Sequence, residues 1–428
     1  MPERFSLQSV RPSLLAIAAV VGLAAGCTEN YDGGGACPSL CPVQQAAFRD
    51  TIIEAVTLDT AVSGFPTLGL SSFMLVANRP DTVVTRGVLR FDVLPTSFRP
   101  NANATMDTLP ITTIDSVYLR LPLDITGRRG TSPVTLDVFD VDTTASDSVT
   151  SVVRSLFRAD RLIGSLTFTP SATGDSLRVP LNKLKVAQKV TSRSRLRLGL
   201  ALFGAAGQIR IRSFAVNSVA PTVTFDPVTD TTFTPVSIST STTISSVTND
   251  AALAYQAYTI VVRGSAPPPP NTLVVGGFPA YRTYLRFVVP PSVSDSGTIV
   301  RAELLLTQRP SSFGSATDTV AIVPLVPTTS DAITDARRIL DLSAEGVFAA
   351  LDTTRLVPRD SGQRILNVLN LVRSWRSLAA NVPRALAFRI SGEGAQAAEI
   401  RFFSSEAAAG LRPRLRITYQ PRTEGAIP

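Results

Sequence analysis

Short runs in which apolar and polar residues alternate dominate the chain, and Gly, Pro, Asp and Asn mark turns between them. In the first half such runs fall at 74–76, 88–93, 117–121, 134–141, 196–202, 209–214 and 223–225. A period of two puts one face of each strand in a core and the other in water. Seven short strands at this spacing predict an all-β sandwich. One stretch follows another period: Val149, Val152, Val153 and Leu156 stand at i, i+3, i+4 and i+7, which predicts a short helix with Asp147 as its cap.

The pattern occurs twice. Leu89-Arg90-Phe91 parallels Leu285-Arg286-Phe287, and Val117 to Leu121 parallels Ala302 to Leu306. Ser146-Asp147 matches Ser330-Asp331, so a second helix is expected from Asp331 through Ile333, Ala336 and Leu340. Pro170, Gly174 and Leu177 match Pro358, Gly362 and Ile365, and the strands around Ile211 and Phe225 match those around Phe402 and Tyr419. A constant order with drifting offsets predicts two tandem antiparallel sandwiches, 51–227 and 228–421. The segment 226–271, with its Thr/Ser runs and Pro267 to Pro270, is expected to hold their junction.

The first residues carry an address. Arg4 and Arg11 precede an apolar stretch from Leu14 to Ala25 that ends in Ala24-Ala25-Gly26-Cys27. Its length, about 18 Å as a helix, falls short of a ~30 Å hydrocarbon core. The segment resembles a bacterial lipoprotein signal, residues 1–26, which implies a lipid-modified Cys27. An ordinary secretory signal cut near Ala25 is the alternative. Two or more acyl chains at about 0.8 kcal/mol per buried CH₂ would hold the chain to a membrane. Thr28 in place of Asp resembles the outer-membrane sorting pattern, so the expected address is an outer-membrane lipoprotein on its periplasmic or cell-surface side. Residues 27–50 read as a tether, in which Cys37 and Cys41 are expected to pair as a disulfide in an oxidising compartment.

Composition narrows the chemistry. The 428 residues include no histidine, which removes His-based triads, His general bases and His-ligated metals. With three cysteines and no histidine, no metal or cofactor is expected. The formal net charge is +8. Arginines alternate with apolar residues in Arg195-Leu196-Arg197, Arg210-Ile211-Arg212 and Arg414-Leu415-Arg416, so each triplet reads as the wet face of a strand. Such faces are either merely solvated or a surface for an anionic polymer. No DNA- or RNA-binding motif accompanies them, so nucleic acid is not an expected partner.

Tyr281 and Tyr284, with Tyr255, Tyr258 and Phe278, form the best aromatic cluster for a sugar platform; buried strand positions are the alternative. Trp375 shares an apolar stripe with Leu371, Val372 and Leu378 and reads as core. Gly392-Glu393-Gly394 reads as a hairpin turn rather than a dinucleotide fingerprint. Asp137, Asp140, Asp142 and Asp147 are candidate Ca²⁺ ligands or solvated strand ends. Nothing singles out a carboxylate pair for glycoside chemistry, and the chain is read as a non-enzyme.

Several segments together resemble a known family. Pro66-Thr67-Leu68-Gly69-Leu70, Leu89-Arg90-Phe91-Asp92, Ile365 to Trp375 and Arg412-Pro413-Arg414-Leu415-Arg416-Ile417-Thr418-Tyr419 are similar to the DNRLRE domain, carbohydrate-binding module family 96. The resemblance spans most of 51–421 and implies two jelly-roll-like sandwiches on an exported protein. It also implies a non-catalytic binding role toward polysaccharide or cell-envelope polymer. A structural or adhesion lipoprotein docking to envelope proteins is the alternative, and a glycan-active enzyme a remoter one.

Overall fold

The computed structural model describes residues 48–65, 71, 73–99, 108–212, 220–227, 235–240, 256–294, 297–314, 318–327, 348–349, 353–379 and 381–421. The expected signal, Cys27, Cys37, Cys41 and the helix expected at 331–340 lie outside the described residues.

The chain enters with β1 (Arg49–Ile53) and β2 (Val56–Phe65), so the last two residues of the expected tether already belong to a strand. The first sandwich is built from β3 (Phe73–Arg79), β4 (Val83–Phe91), the short pair β5 (Ser97–Phe98) and β6 (Leu109–Pro110), β7 (Ser116–Pro122) and β8 (Val134–Asp140). It continues with β9 (Leu162–Phe168), β10 (Ser176–Pro180), β11 (Leu196–Gly204), β12 (Gly207–Arg212) and β13 (Thr222–Asp226). Then come β14 (Val236–Ser239) and β15 (Ala257–Arg263). The second sandwich holds β16 (Thr272–Gly276), β17 (Ala280–Phe287), β18 (Thr298–Arg309), β19 (Val320–Val326), β20 (Phe348–Ala349) and β21 (Thr354–Leu356). It ends with β22 (Gly362–Asn367), β23 (Ala385–Ile390), β24 (Glu399–Phe403) and β25 (Arg414–Gln420).

The two sandwiches, here called the first and second body, share one antiparallel plan. In the first body one sheet runs β14-β13-β7-β10 and the facing sheet β15-β4-β11-β8-β9. In the second body the same places are taken by β1-β25-β18-β22 and by β2-β17-β23-β19 with β20 and β21. The ribbon β3-β12 in one and β16-β24 in the other turns the corner. Inward residues follow the period of two: Leu89, Leu119, Leu136, Leu198 and Val223 are fully buried in the first body, Leu285, Leu304, Ile322, Leu386 and Leu415 in the second. This is the all-β antiparallel sandwich that the alternation predicts, in the jelly-roll-like form that the resemblance implies.

Sheet membership does not follow the expected division at 227/228. The leading strands of each repeat dock on the other repeat's body. β1 pairs with β25, Ile53 opposite Leu415, and β2 pairs with β17, Ala61 opposite Thr283. Reciprocally, β14 pairs with β13 and β15 with β4. Ile53 belongs to the second core and Ala257 to the first. The first body is therefore continuous, 73–263, and the second is assembled from 49–65 and 272–420. The reason is geometric: strand pairing satisfies backbone donors wherever an open edge lies, and sequence distance costs only loop entropy.

Short helices close the sandwiches. α1 (Thr150–Ser155) and Phe157 cover the outer face of the β4-β11-β8 sheet, where Val88, Phe139, Val153 and Ala201 form a second apolar layer. Gly199 makes this fit, because a Cβ there would stand 2.6 Å from Val141 Cγ1 and 2.7 Å from Phe157 Cζ. Of the expected stripe Val153 is buried and Leu156 packs partly, whereas Val149 and Val152 stay exposed. Asp147 does not cap the helix; Val149 holds the cap position, and Asp147 is buried among arginines. α2 (Lys183–Thr191) escaped the sequence pattern because only Val186 and Val190 are buried on it, while the Asn182 side chain accepts from the Leu184 and Lys185 amides at 3.1 Å each. After the single turn α3 (Pro291–Ser294), the second body places α4 (Leu369–Ser374) where α2 stands, and Trp375, fully buried, donates from Nε1 to Ala385 O at 3.3 Å.

Phe65 is 1% exposed against Ala280, Tyr284, Val323 and Ala387. Phe65→Ala should lower stability by about 3–5 kcal/mol. Amide hydrogen exchange should lose protection at 280–287, in the second body, and keep it at 83–91, although residue 65 precedes the first body; the reverse pattern would contradict the exchange.

Candidate functional site

The arginine triplets do not form one basic face. Arg195 pairs with Asp142 at 2.6 Å. Arg197 is fully buried, a correction to its reading as a wet-face residue: β15 and α1 cover the face that its alternation assigned to water. It stands directly opposite Arg90 in the β11-β4 ladder, and Asp147 bridges the two, Oδ2 at 2.5 Å from Arg90 Nη1 and Oδ1 at 3.1 Å from Arg197 Nη1. Asp92 holds Arg90 from its other side at 2.7 Å, and the Tyr258 hydroxyl donates to Asp147 at 2.7 Å. Burial, then the Asp147 charge, raises the Tyr258 hydroxyl far above its ordinary pKa. Arg212 donates to Leu123 O at 3.4 Å. Arg416 pairs with Glu303, and Arg414 sits partly buried with its Nε enclosed.

Among the described residues, which leave out Tyr255, the tyrosine platform is not assembled either. Tyr284 is 3% exposed and Tyr258 2%, so both are core, and Tyr281 is half-buried. Asp137 accepts from Ser165, and Asp140 and Asp142 both face Lys189 at 3.1 Å. Among the described residues no cluster of three acidic or thiol side chains is placed to hold a metal ion. Gly392 and Gly394, both at positive φ, form the β23–β24 turn.

What the fold does bring together is a cleft of about 50 Å³ between the two bodies. One wall comes from the first body: Arg79 at the end of β3, Thr126 and Gly127 after β7, Arg129, and Gln208 and Arg210 on β12. The other comes from the second: Phe313, Gly314, Asp318 and the β23–β24 turn at Ala395 to Ala398. Beside it Leu75, Ala77 and Val83 pack on Phe278 and Ala397, which fixes the walls to each other.

Polar contacts order the first wall. Gln208, 6% exposed, donates from Nε2 to Gly127 O at 2.9 Å and accepts from Arg79 Nη1 at 3.3 Å. Arg210 lies 4.7 Å over the Phe73 ring, donates to Thr126 Oγ1 at 2.6 Å and pairs with Asp124. Arg129 crosses to the second body, Nη2 to Asp318 Oδ1 at 2.6 Å. The cleft acids thus each carry an arginine. Arg79 has no carboxylate partner among the described residues, so it offers a free guanidinium edge to an incoming oxyanion.

Of the eight residues that the sequence singled out as ligand-binding, Arg210 lies in this cleft. Arg79, Arg129, Gln208 and Asp318 were not singled out, for they sit at strand ends and in loops where no periodicity marks them, and the walls come from segments far apart in the chain.

No family model and no curated protein matches the chain. Among solved structures, a candidate secreted protein from Parabacteroides distasonis covers 86% of this chain and 99% of its own at 7% identity, with a TM-score of 0.24. The infectious bursal virus T=1 particle protein covers 88% and 74% at 11% identity and a TM-score of 0.14. The C-terminal domain of Streptococcus pyogenes AspA covers 83% and 92% at 8% and 0.13. Overlaps of that size bear on neither fold nor function.

Burial pushes the Asp124 carboxyl up, but the Thr126 hydrogen bonds and the Arg210 charge outweigh it and hold its pKa below the ordinary 3.8. Asp142 is lowered likewise by Arg195 and Lys189 against burial. A depressed folded pKa contributes stability above the unfolded value and loses it as pH falls through the folded one. Thermal unfolding between pH 5 and 2, in approximate steps of half a unit, should show this loss below about pH 4, and Asp142→Asn should flatten it. Asp147→Ala, which leaves buried Arg197 without a carboxylate and Arg90 with Asp92 alone, should cost about 3–5 kcal/mol at neutral pH, and Tyr258→Phe about 1 kcal/mol.

Proposed function

We propose that this chain is a non-catalytic binding protein of the bacterial envelope, lipid-anchored through Cys27, that takes an acidic polysaccharide in the cleft between its bodies. The observation that carries the reading is Arg79, a cleft guanidinium without an acid, next to Gln208 and the Thr126 and Thr82 side chains. A carboxylate on a sugar ring matches that set: the guanidinium takes the charge beside neutral polar side chains. The small volume suits one substituent of a polymer rather than a whole enclosed sugar. Support for the address comes from the apolar segment ending at Cys27. Among the described residues no helix is long and apolar enough to cross a membrane.

The full chain should bind a polyuronate at low salt and lose affinity as salt rises, while a neutral glucan should not bind. Arg79→Ala should weaken polyuronate binding at least about tenfold, the loss of one charge-assisted contact. Equal binding by wild type and Arg79→Ala, measured by affinity electrophoresis or calorimetry, would remove the cleft as the site.

A further inference from the structure

The outer face of the β14-β13-β7-β10 sheet carries a second pair of arginines directly opposite each other. Arg120 on β7 faces Arg178 on β10, and Thr222 on β13 and Ser239 on β14 continue the same row. The next row is Pro180, Tyr118, Thr224 and Ser237. Both arginines are exposed, and the Arg178 guanidinium lies 3.9 Å over the Tyr118 ring. Stacking occupies the flat face of the guanidinium and leaves its N–H edge outward.

Like charges directly opposite in a ladder destabilise a sheet. The buried pair Arg90 and Arg197 has the same relation and is neutralised by Asp147. The surface pair has no such acid: among the described residues neither Arg120 nor Arg178 makes an ion pair or donates a hydrogen bond. Among the described strand residues of this face the acid is Asp226, opposite Ser116, whose hydroxyl donates to it at 2.6 Å. It stands four residues along β13 from Thr222, about 13 Å away.

The fold does not require this pair. In the second body the corresponding row is Ile365, Leu305 and Arg414, on β22, β18 and β25. The same sheet closes there with two aliphatic residues where the first body has two arginines.

We propose that Arg120 and Arg178, with the Thr222 hydroxyl beside them, form a site for a tetrahedral oxyanion, a sulfate half-ester or phosphate monoester carried on a glycan. Two guanidinium edges need more oxygens than the two of a carboxylate, and a tetrahedral group supplies them. The site extends the binding role above but stands on another face, and its test does not pass through Arg79.

Thermal unfolding of the full chain is compared in sulfate and in chloride at matched ionic strength. Wild type should be stabilised by sulfate, as binding to the folded state alone requires. Arg120→Gln and Arg178→Gln should each lose that stabilisation, and Arg120→Gln, which leaves the Arg178–Tyr118 stack in place, should be no less stable than wild type in chloride because it relieves the repulsion. Arg79→Ala should keep the sulfate response. No sulfate response in wild type, or a response retained by both glutamine variants, would overturn the proposal, as would an Arg120→Gln variant that is less stable than wild type in chloride. Dextran sulfate and phosphorylated dextran, each against neutral dextran, then separate the two esters; affinity for either should fall at least tenfold in Arg120→Gln, and equal affinity for neutral dextran would also overturn it.

Discussion

The passage from Phe65 to Phe73 carries the chain out of one body and into the other, and the rest of the architecture depends on that crossing. At most about 3.6 Å per residue separates the two ends, so the seven residues between them hold the bodies within roughly 30 Å. The return crossing between Arg263 and Thr272 imposes the same limit from the other side. The bodies are therefore coupled through two short covalent crossings as well as through the apolar contact at Leu75, Val83 and Phe278. A cleft whose walls come from both bodies needs such coupling to keep its spacing. The exchange also governs the first described strand: Arg49 lies opposite Tyr419, so β1 belongs to the second body although the first follows it in sequence.

Charge is handled differently inside and outside the sheets. A guanidinium cannot give up its proton, so burial is tolerated only beside carboxylates. Arg90 and Arg197 meet this demand with Asp92 and Asp147, and Arg282 meets it with Glu393, at 2.9 and 2.7 Å. Exposed arginines carry no such demand, and among the described residues many stand without a carboxylate partner, so position and neighbouring groups rather than the net charge of +8 decide where an anion would bind.

Alternation made the strands at β3, β4, β7, β8, β11, β12 and β13 legible, because each has one apolar face aimed at a core. It also made the duplication legible, since the β4 and β17 segments keep the same Leu-Arg-Phe order. It could not show the exchange. β2 pairs with residues more than two hundred positions away, and nothing local in Val56 to Phe65 distinguishes one open edge from another. Alternation likewise misled at Arg197: period two tells which residues share a face, not whether another layer covers it. The cleft was illegible for a third reason, since Arg79, Arg129 and Asp318 become neighbours only after both bodies are in place.

The pairing rows also explain why each arm keeps to its own groove. In the first body Tyr258 of the arm lies on Val88 and Thr259 on Gly87. In the second the sizes are reversed: Thr60 lies on Tyr284 and Ala61 on Thr283. An arm in the wrong groove would set Tyr258 against Tyr284 and Thr259 against Thr283, overfilling a buried layer, while Thr60 on Val88 and Ala61 on Gly87 would leave voids. Overpacking and cavities each cost on the order of 1–3 kcal/mol per site. The Tyr258 hydroxyl adds a polar term to the same choice, since it donates to buried Asp147 in the first body and has no counterpart in Thr60. Complementary side-chain volume in two adjacent rows thus selects the exchanged arrangement from the alternatives that backbone pairing alone would permit.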